Sequence, residues 1–166
     1  MKMLKYADTM VTFSEVPDEI SLCIEISNCQ CHCKNCHSSY LAEDIGEELT
    51  CARLEELLQA NKGITCVSFM GGDIEPISIV GLAKYIKMFY PGLKVAWYSG
   101  KQELPKHFNL EPFDFIKLGP YIEELGPLNS KTTNQKFYKV ENISYKDGSF
   151  RYELIDITYK FHRNEN

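Results

Sequence analysis

Apolar residues recur along this chain with two different periods. Residues 22–26, 64–70, 93–98 and 113–118 are short β-branched or aromatic runs of strand length. Two segments between them carry helical spacing instead. Thr50 stands as an N-cap before Leu54, Leu57 and Leu58, and Pro76 opens a second helix with Ile79, Leu82, Ala83, Ile86 and Phe89 on its apolar side. Pro91-Gly92 stops that helix. Further strands are predicted over 137–143 and, after the turn signal Asp147-Gly148, over 150–158.

Strands alternating with helices predict an α/β fold with a mostly parallel sheet built from βαβ units, to which the C-terminal strands 137–158 are added. Each predicted strand of the parallel set ends in a break in the pattern. The first runs into a cysteine-rich loop, and the others end at Gly71-Gly72, Ser99-Gly100 and Gly119-Pro120. In a parallel sheet the carboxyl ends share one edge, where ligands bind, so these four breaks are expected to meet on a common rim.

At 166 residues the chain reads as a single domain, 1–166, long enough to bury about two-thirds of its unfolded surface. A net charge of −5 argues against a nucleic-acid partner. The first eight residues do not read as a secretory signal, and no apolar run approaches membrane-spanning length, so no membrane partner is expected. Seven cysteines, four of them in one loop, fit a reducing cytoplasmic setting better than a disulfide scaffold. Cys23, Cys51 and Cys66 lie in apolar segments and read as buried small hydrophobes.

The other four cysteines fall within eight positions, Cys29-Gln30-Cys31-His32-Cys33-Lys34-Asn35-Cys36. Crowded thiolates repel one another unless something cationic holds them, and a soft metal or an iron–sulfur cluster is the usual occupant. Zinc could use Cys29 with Cys31 or His32 as one pair and Cys33 with Cys36 as the other. Zinc sites generally draw their ligand pairs from separated segments, so the spacing favours a cluster without excluding zinc. His32 and His37 read as solvent-facing loop residues. Gly71-Gly72 is either a tight turn or a place where backbone approaches a polar ligand, with the carboxylates of Asp73 and Glu75 close behind.

Taken together, Cys29-x3-Cys33-x2-Cys36 after the first strand and Met70-Gly71-Gly72-Asp73 after the second resemble the cluster motif and the GGE motif of the radical S-adenosylmethionine (SAM) superfamily. Within it the chain is most similar to the small activating proteins of anaerobic ribonucleoside-triphosphate reductase. Trp97-Tyr98-Ser99-Gly100, the stretch Phe113 to Tyr121 with Gly119-Pro120, and Thr132-Thr133-Asn134-Gln135-Lys136 resemble segments of that group. The resemblance covers roughly residues 20–140. Three features depart from the pattern: Asn35 before the third cysteine, the extra Cys31 between the first two, and Asp in place of Glu after the glycines.

The resemblance implies a partial (β/α) barrel of the radical SAM type and a [4Fe–4S] cluster held by Cys29, Cys33 and Cys36, with SAM on the open iron. It further implies that Gly71 and Gly72 meet the methionyl amine, with Asp73 or Glu75 balancing its charge. Asn35 would lie near the adenine, Tyr98 and Ser99 near the ribose or methionyl part, and Lys117 near the SAM carboxylate. The implied activity is that of an oxidoreductase, reductive cleavage of SAM to place a glycyl radical on anaerobic ribonucleoside-triphosphate reductase, with flavodoxin or a similar electron donor. Activation of another glycyl-radical enzyme and a zinc-stabilised, non-catalytic binding module remain as alternatives. Cys31 is either a spare thiol or an alternative ligand.

Overall fold

A computed structural model describes residues 3–162; the expected domain bounds at 1 and 166 lie outside the described residues. Eight strands form one sheet in the order β3-β1-β2-β4-β5-β6-β7-β8. They span Lys5–Thr12 (β1), Ser21–Ile26 (β2), Glu47–Glu48 (β3), Cys66–Met70 (β4), Lys94–Tyr98 (β5), Phe115–Leu118 (β6), Lys136–Ser144 (β7) and Phe150–Asp156 (β8). Two α-helices, Cys51–Ala60 (α1) and Pro76–Phe89 (α2), occur among the described residues.

This architecture corrects the expected partial barrel with its mostly parallel sheet. The sheet is mixed. Only β2, β4, β5 and β6 run parallel to their neighbours in that central block, while β1, β3, β7 and β8 pair antiparallel at its flanks. The third crossover, from β5 to β6, has no helix. Its segment carries Gly100 and Pro105 and lacks a 3.6-residue period. Leu104, Phe108 and Leu110 nevertheless pack as irregular chain onto the core where a helix would lie, with the Phe108 ring stacked 4.8 Å from that of Trp97.

Both helices cover one face of the sheet. The Thr50 side chain accepts the Arg53 N–H at 3.1 Å and caps α1, whose Leu54, Leu57 and Leu58 are buried. Pro76 fills the first turn of α2, and Ile79, Leu82, Ala83 and Ile86 pack against Val67, Phe69, Val95 and Trp97. Phe89 ends the helix and is exposed, contrary to its expected place on the apolar side. Cys51 is exposed as well, because it opens α1 on the side away from the sheet, whereas Cys23 and Cys66 are buried as expected.

The opposite face carries no α-helix among the described residues. Cys66, Ala96, Phe115 and Phe137 are covered there chiefly by Val16 in a loop and by Ile157 and Phe161, the latter closing a short 3-10 helix at Thr158–Phe161. Burial pushes the Cys66 thiol up to about 12. No helix among the described residues is long and apolar enough to cross a membrane.

Candidate functional site

The parallel block determines what meets at its carboxyl edge. Register places Glu25 beside Met70, Met70 beside Tyr98 and Tyr98 beside Lys117, a single row across four strands on the helix-free face. The four breaks in the sequence pattern follow directly beyond this row, as a parallel arrangement requires.

The cysteine loop is tethered at both ends. Asn28 N–H donates to the Glu43 carbonyl at 3.0 Å, Cys29 N–H to Leu41 at 2.8 Å, and Cys36 N–H turns back to Cys33 at 3.2 Å. Between these tethers the backbone enters the left-handed region at Asn28, His32 and Asn35. Asn tolerates that region better than most residues with a Cβ, which accounts for Asn35 at its unusual position. Its side chain donates to Glu123 at 2.8 Å, a carboxylate that also faces Lys34 at 3.6 Å.

Cys29, Cys33 and Cys36 line one hollow of about 220 Å³, together with His32 and Ser38. A larger cavity of about 510 Å³ adjoins it, within the range of small-ligand sites. Cys36 lines both. The larger cavity has Met70, Tyr98 and Lys117 on the sheet side and Tyr121, Gln135 and Phe161 opposite. Cys31 lines neither and is packed instead near Asp73 and Gly100. Among the described residues no three His, Cys, Asp or Glu side chains are gathered as a ready ion-holding group.

Gly71 and Gly72 adopt φ of +102° and +88°, conformations that glycine enters freely. Space matters at Gly72 too, since a Cβ there would stand 2.6 Å from Ile79 Cδ1. The Gly71 N–H donates to Tyr98 O at 2.9 Å, and its carbonyl accepts the Trp97 Nε1–H at 2.7 Å. The Gly72 carbonyl accepts the Glu75 N–H at 3.0 Å. Each carbonyl keeps a second lone pair for an incoming donor.

Asp73 and Glu75 part company here. Asp73 accepts the Ser99 hydroxyl on one oxygen and the Gly100 N–H, at 2.9 Å, on the other. Glu75 sits at the start of α2. Asp73 is thus the carboxylate bound to the neighbouring strand end, and it acts electrostatically on both Cys31 and Lys117.

Lys117 is only 8% exposed. Its ammonium donates to the Gly119 carbonyl at 2.6 Å and the Ser99 carbonyl at 3.4 Å, joining two strand ends. Burial lowers its pKa to about 8, against the pull of Asp73 and of Cys33, Cys31 and Cys36. Tyr98 donates its hydroxyl to the Glu15 carbonyl, and burial raises that hydroxyl well above the ordinary tyrosine range.

A depressed lysine implies a pH dependence. The folded chain releases this proton near pH 8 and the unfolded chain near 10.5, so between these values the unfolded state binds more protons and stability rises with pH. In the cluster-free protein, stability of wild type relative to Lys117→Met is expected to rise by about 2 kcal/mol between pH 7 and 10. Denaturant titrations at the two pH values measure this, and a pH-independent gap contradicts the burial of a charged Lys117.

Cys29, Cys33 and Cys36 stand at the motif spacing and line one hollow, but the described residues do not gather three such side chains into a ready ion-holding group. Gathered at the rim are Cys29, Cys33, Cys36, Tyr98 and Lys117 around the two cavities, and Asp73 with Ser99 beside them. Asn35, Gly71, Gly72 and Glu75 line neither cavity. Residues given no role from sequence are Glu123, which holds Asn35, Trp97, which holds Gly71, and Glu25, which accepts the Tyr40 hydroxyl. The polar Glu25 inside an otherwise apolar strand run is the one legible signal among them. No protein-family model matches the chain, nor does any curated protein or solved structure.

Proposed function

We propose that this protein is a radical SAM activase that places a glycyl radical on anaerobic ribonucleoside-triphosphate reductase. The observation that carries the reading is the pairing of Cys29, Cys33 and Cys36 on one hollow with the adjoining cavity at the strand ends, joined through Cys36. The motif resemblance supplies the choice of chemistry and of target.

Cys29, Cys33 and Cys36 would hold a [4Fe–4S] cluster. With SAM bound, that cluster supplies one-electron cleavage of the sulfonium C–S bond and, from it, hydrogen-atom abstraction from a glycine Cα. The chain's own residues orient and shield. Gly71 and Gly72 offer carbonyl lone pairs to an ammonium, and Asp73 adds negative charge at the same turn. Lys117 presents a cation to a carboxylate at the floor of the larger cavity. Tyr98 and Met70 wall that cavity, and Asn35 sits at the mouth of the loop with its side chain held by Glu123. A low-potential donor such as flavodoxin is required by the chemistry.

The test is electron paramagnetic resonance after mixing the reconstituted protein with the reductase, SAM and reduced flavodoxin. A glycyl-radical doublet that needs all the components is expected. SAM cleavage without that doublet moves the target to another glycyl-radical enzyme. A zinc-stabilised binding module is the second reading, because His32 lines the same hollow and would complete a Cys3His set.

A further inference from the structure

We infer that Cys31 is a positioning residue: its side chain occupies a slot left by Gly100 and fastens the cysteine loop to the rim formed by Asp73 and Ser99. The functional consequence rests on the reading of Cys29, Cys33 and Cys36 as cluster ligands; the packing itself does not.

Gly100 does not adopt left-handed backbone, so its conformation does not call for glycine. The space does. A Cβ built on Gly100 would fall well inside 3.0 Å of Cys31 Sγ, 3.3 Å from Cys31 Cβ and 3.6 Å from Asp73 Oδ2. The Cys31 thiol therefore rests over bare backbone, half-buried.

The contact lies in a continuous chain. Cys31 packs on Gly100, the Gly100 N–H is held by Asp73, Asp73 accepts the Ser99 hydroxyl, and the Ser99 carbonyl accepts Lys117. The cysteine loop is thereby indexed against the Gly71-Gly72-Asp73 turn. In the proposed reaction both segments would hold the same small molecule, so a shift between them costs SAM affinity while leaving the three ligands in place.

The test pairs Gly100→Ala with Cys31→Ala. Gly100→Ala is expected to retain about four irons per chain and to weaken SAM binding about tenfold. Binding is read from the SAM-induced change in the resonance spectrum of the reduced cluster. The double variant, which removes Sγ from the slot, returns SAM affinity to within about threefold of wild type. Equal weakening in the single and double variants overturns the inference, as does loss of iron in Cys31→Ala alone, which would make Cys31 a ligand.

A second measurement needs no cluster. In the cluster-free protein Gly100→Ala is expected to lower the denaturant midpoint, because the added Cβ meets Cys31, and the double variant, which lacks Sγ, to regain most of that loss. Equal midpoints in the single and double variants overturn the packing. A protein that reconstitutes with zinc and no cluster would defeat the proposed function yet leave this recovery intact, so the two failures are distinguishable.

Discussion

Replacing Cys29, Cys33 or Cys36 singly with Ala is expected to abolish reductive cleavage of SAM, with 5′-deoxyadenosine falling about a hundredfold or more. The physical reason is the ligand count. A cluster held by three thiolates uses one per iron and keeps a fourth iron open for SAM. Removing any one of them would expose a second iron of such a cluster to solvent, and two tethers within one short loop would not keep it assembled. The three positions are expected to behave alike, because all three face the same hollow. Cys31→Ala is expected to differ from them in keeping its iron. Chromatographic measurement of 5′-deoxyadenosine under reducing, anaerobic conditions, with iron determined in parallel, checks both halves. Substantial cleavage by any of the three variants would remove that residue from the ligand set.

Trp97→Ala is expected to have the largest effect on stability, about 3 to 5 kcal/mol. Trp97 is the largest fully buried side chain, 1% exposed, and it sits in the third strand of the parallel block. Its ring stacks 4.8 Å from Phe108 and lies 6.4 Å from Phe113. These contacts hold down the irregular crossover that stands where a helix would otherwise cover the sheet, so truncation loosens that segment as well as leaving a cavity. Trp97→Phe separates two contributions. It keeps most of the packing and loses the Nε1 hydrogen bond to the Gly71 carbonyl, for an expected cost of about 1 to 2 kcal/mol. Denaturant unfolding of the cluster-free protein measures both. A Trp97→Phe variant as damaged as Trp97→Ala would contradict the division into packing and hydrogen bond.

What the sequence disclosed was set by where burial is one-sided and regular. The four parallel strands and both helices stood out because Leu54, Leu57 and Leu58, or Val67 and Phe69, repeat with the period of their element against a continuous helix-side core. β1 did not stand out. Apart from Tyr6 its side chains are exposed or only partly buried, so Asp8, Met10 and Val11 carry no clean alternation. No helix is read between β5 and β6, and none forms there: Leu104, Phe108 and Leu110 bury themselves from irregular chain, so their packing on the core has no period to detect. The cover of the second face escaped for the same reason: Val16 is fully buried within a loop.

The candidate site was legible in its residue types and in its convergence on one edge, since both follow from strand ends in a parallel block. Its internal bonds were not. That Asp73 rather than Glu75 is tied to Ser99 and Gly100, and that Cys31 needs the bare backbone of Gly100, depend on side-chain directions beyond the strand ends. No periodic rule fixes those directions.

The most direct measurement is elemental analysis with an absorption spectrum after anaerobic reconstitution with iron and sulfide. About four iron and four sulfide per chain, with a broad absorption band near the visible–ultraviolet border that bleaches on reduction, is the expected result. A colourless protein holding one zinc and no sulfide would contradict the account.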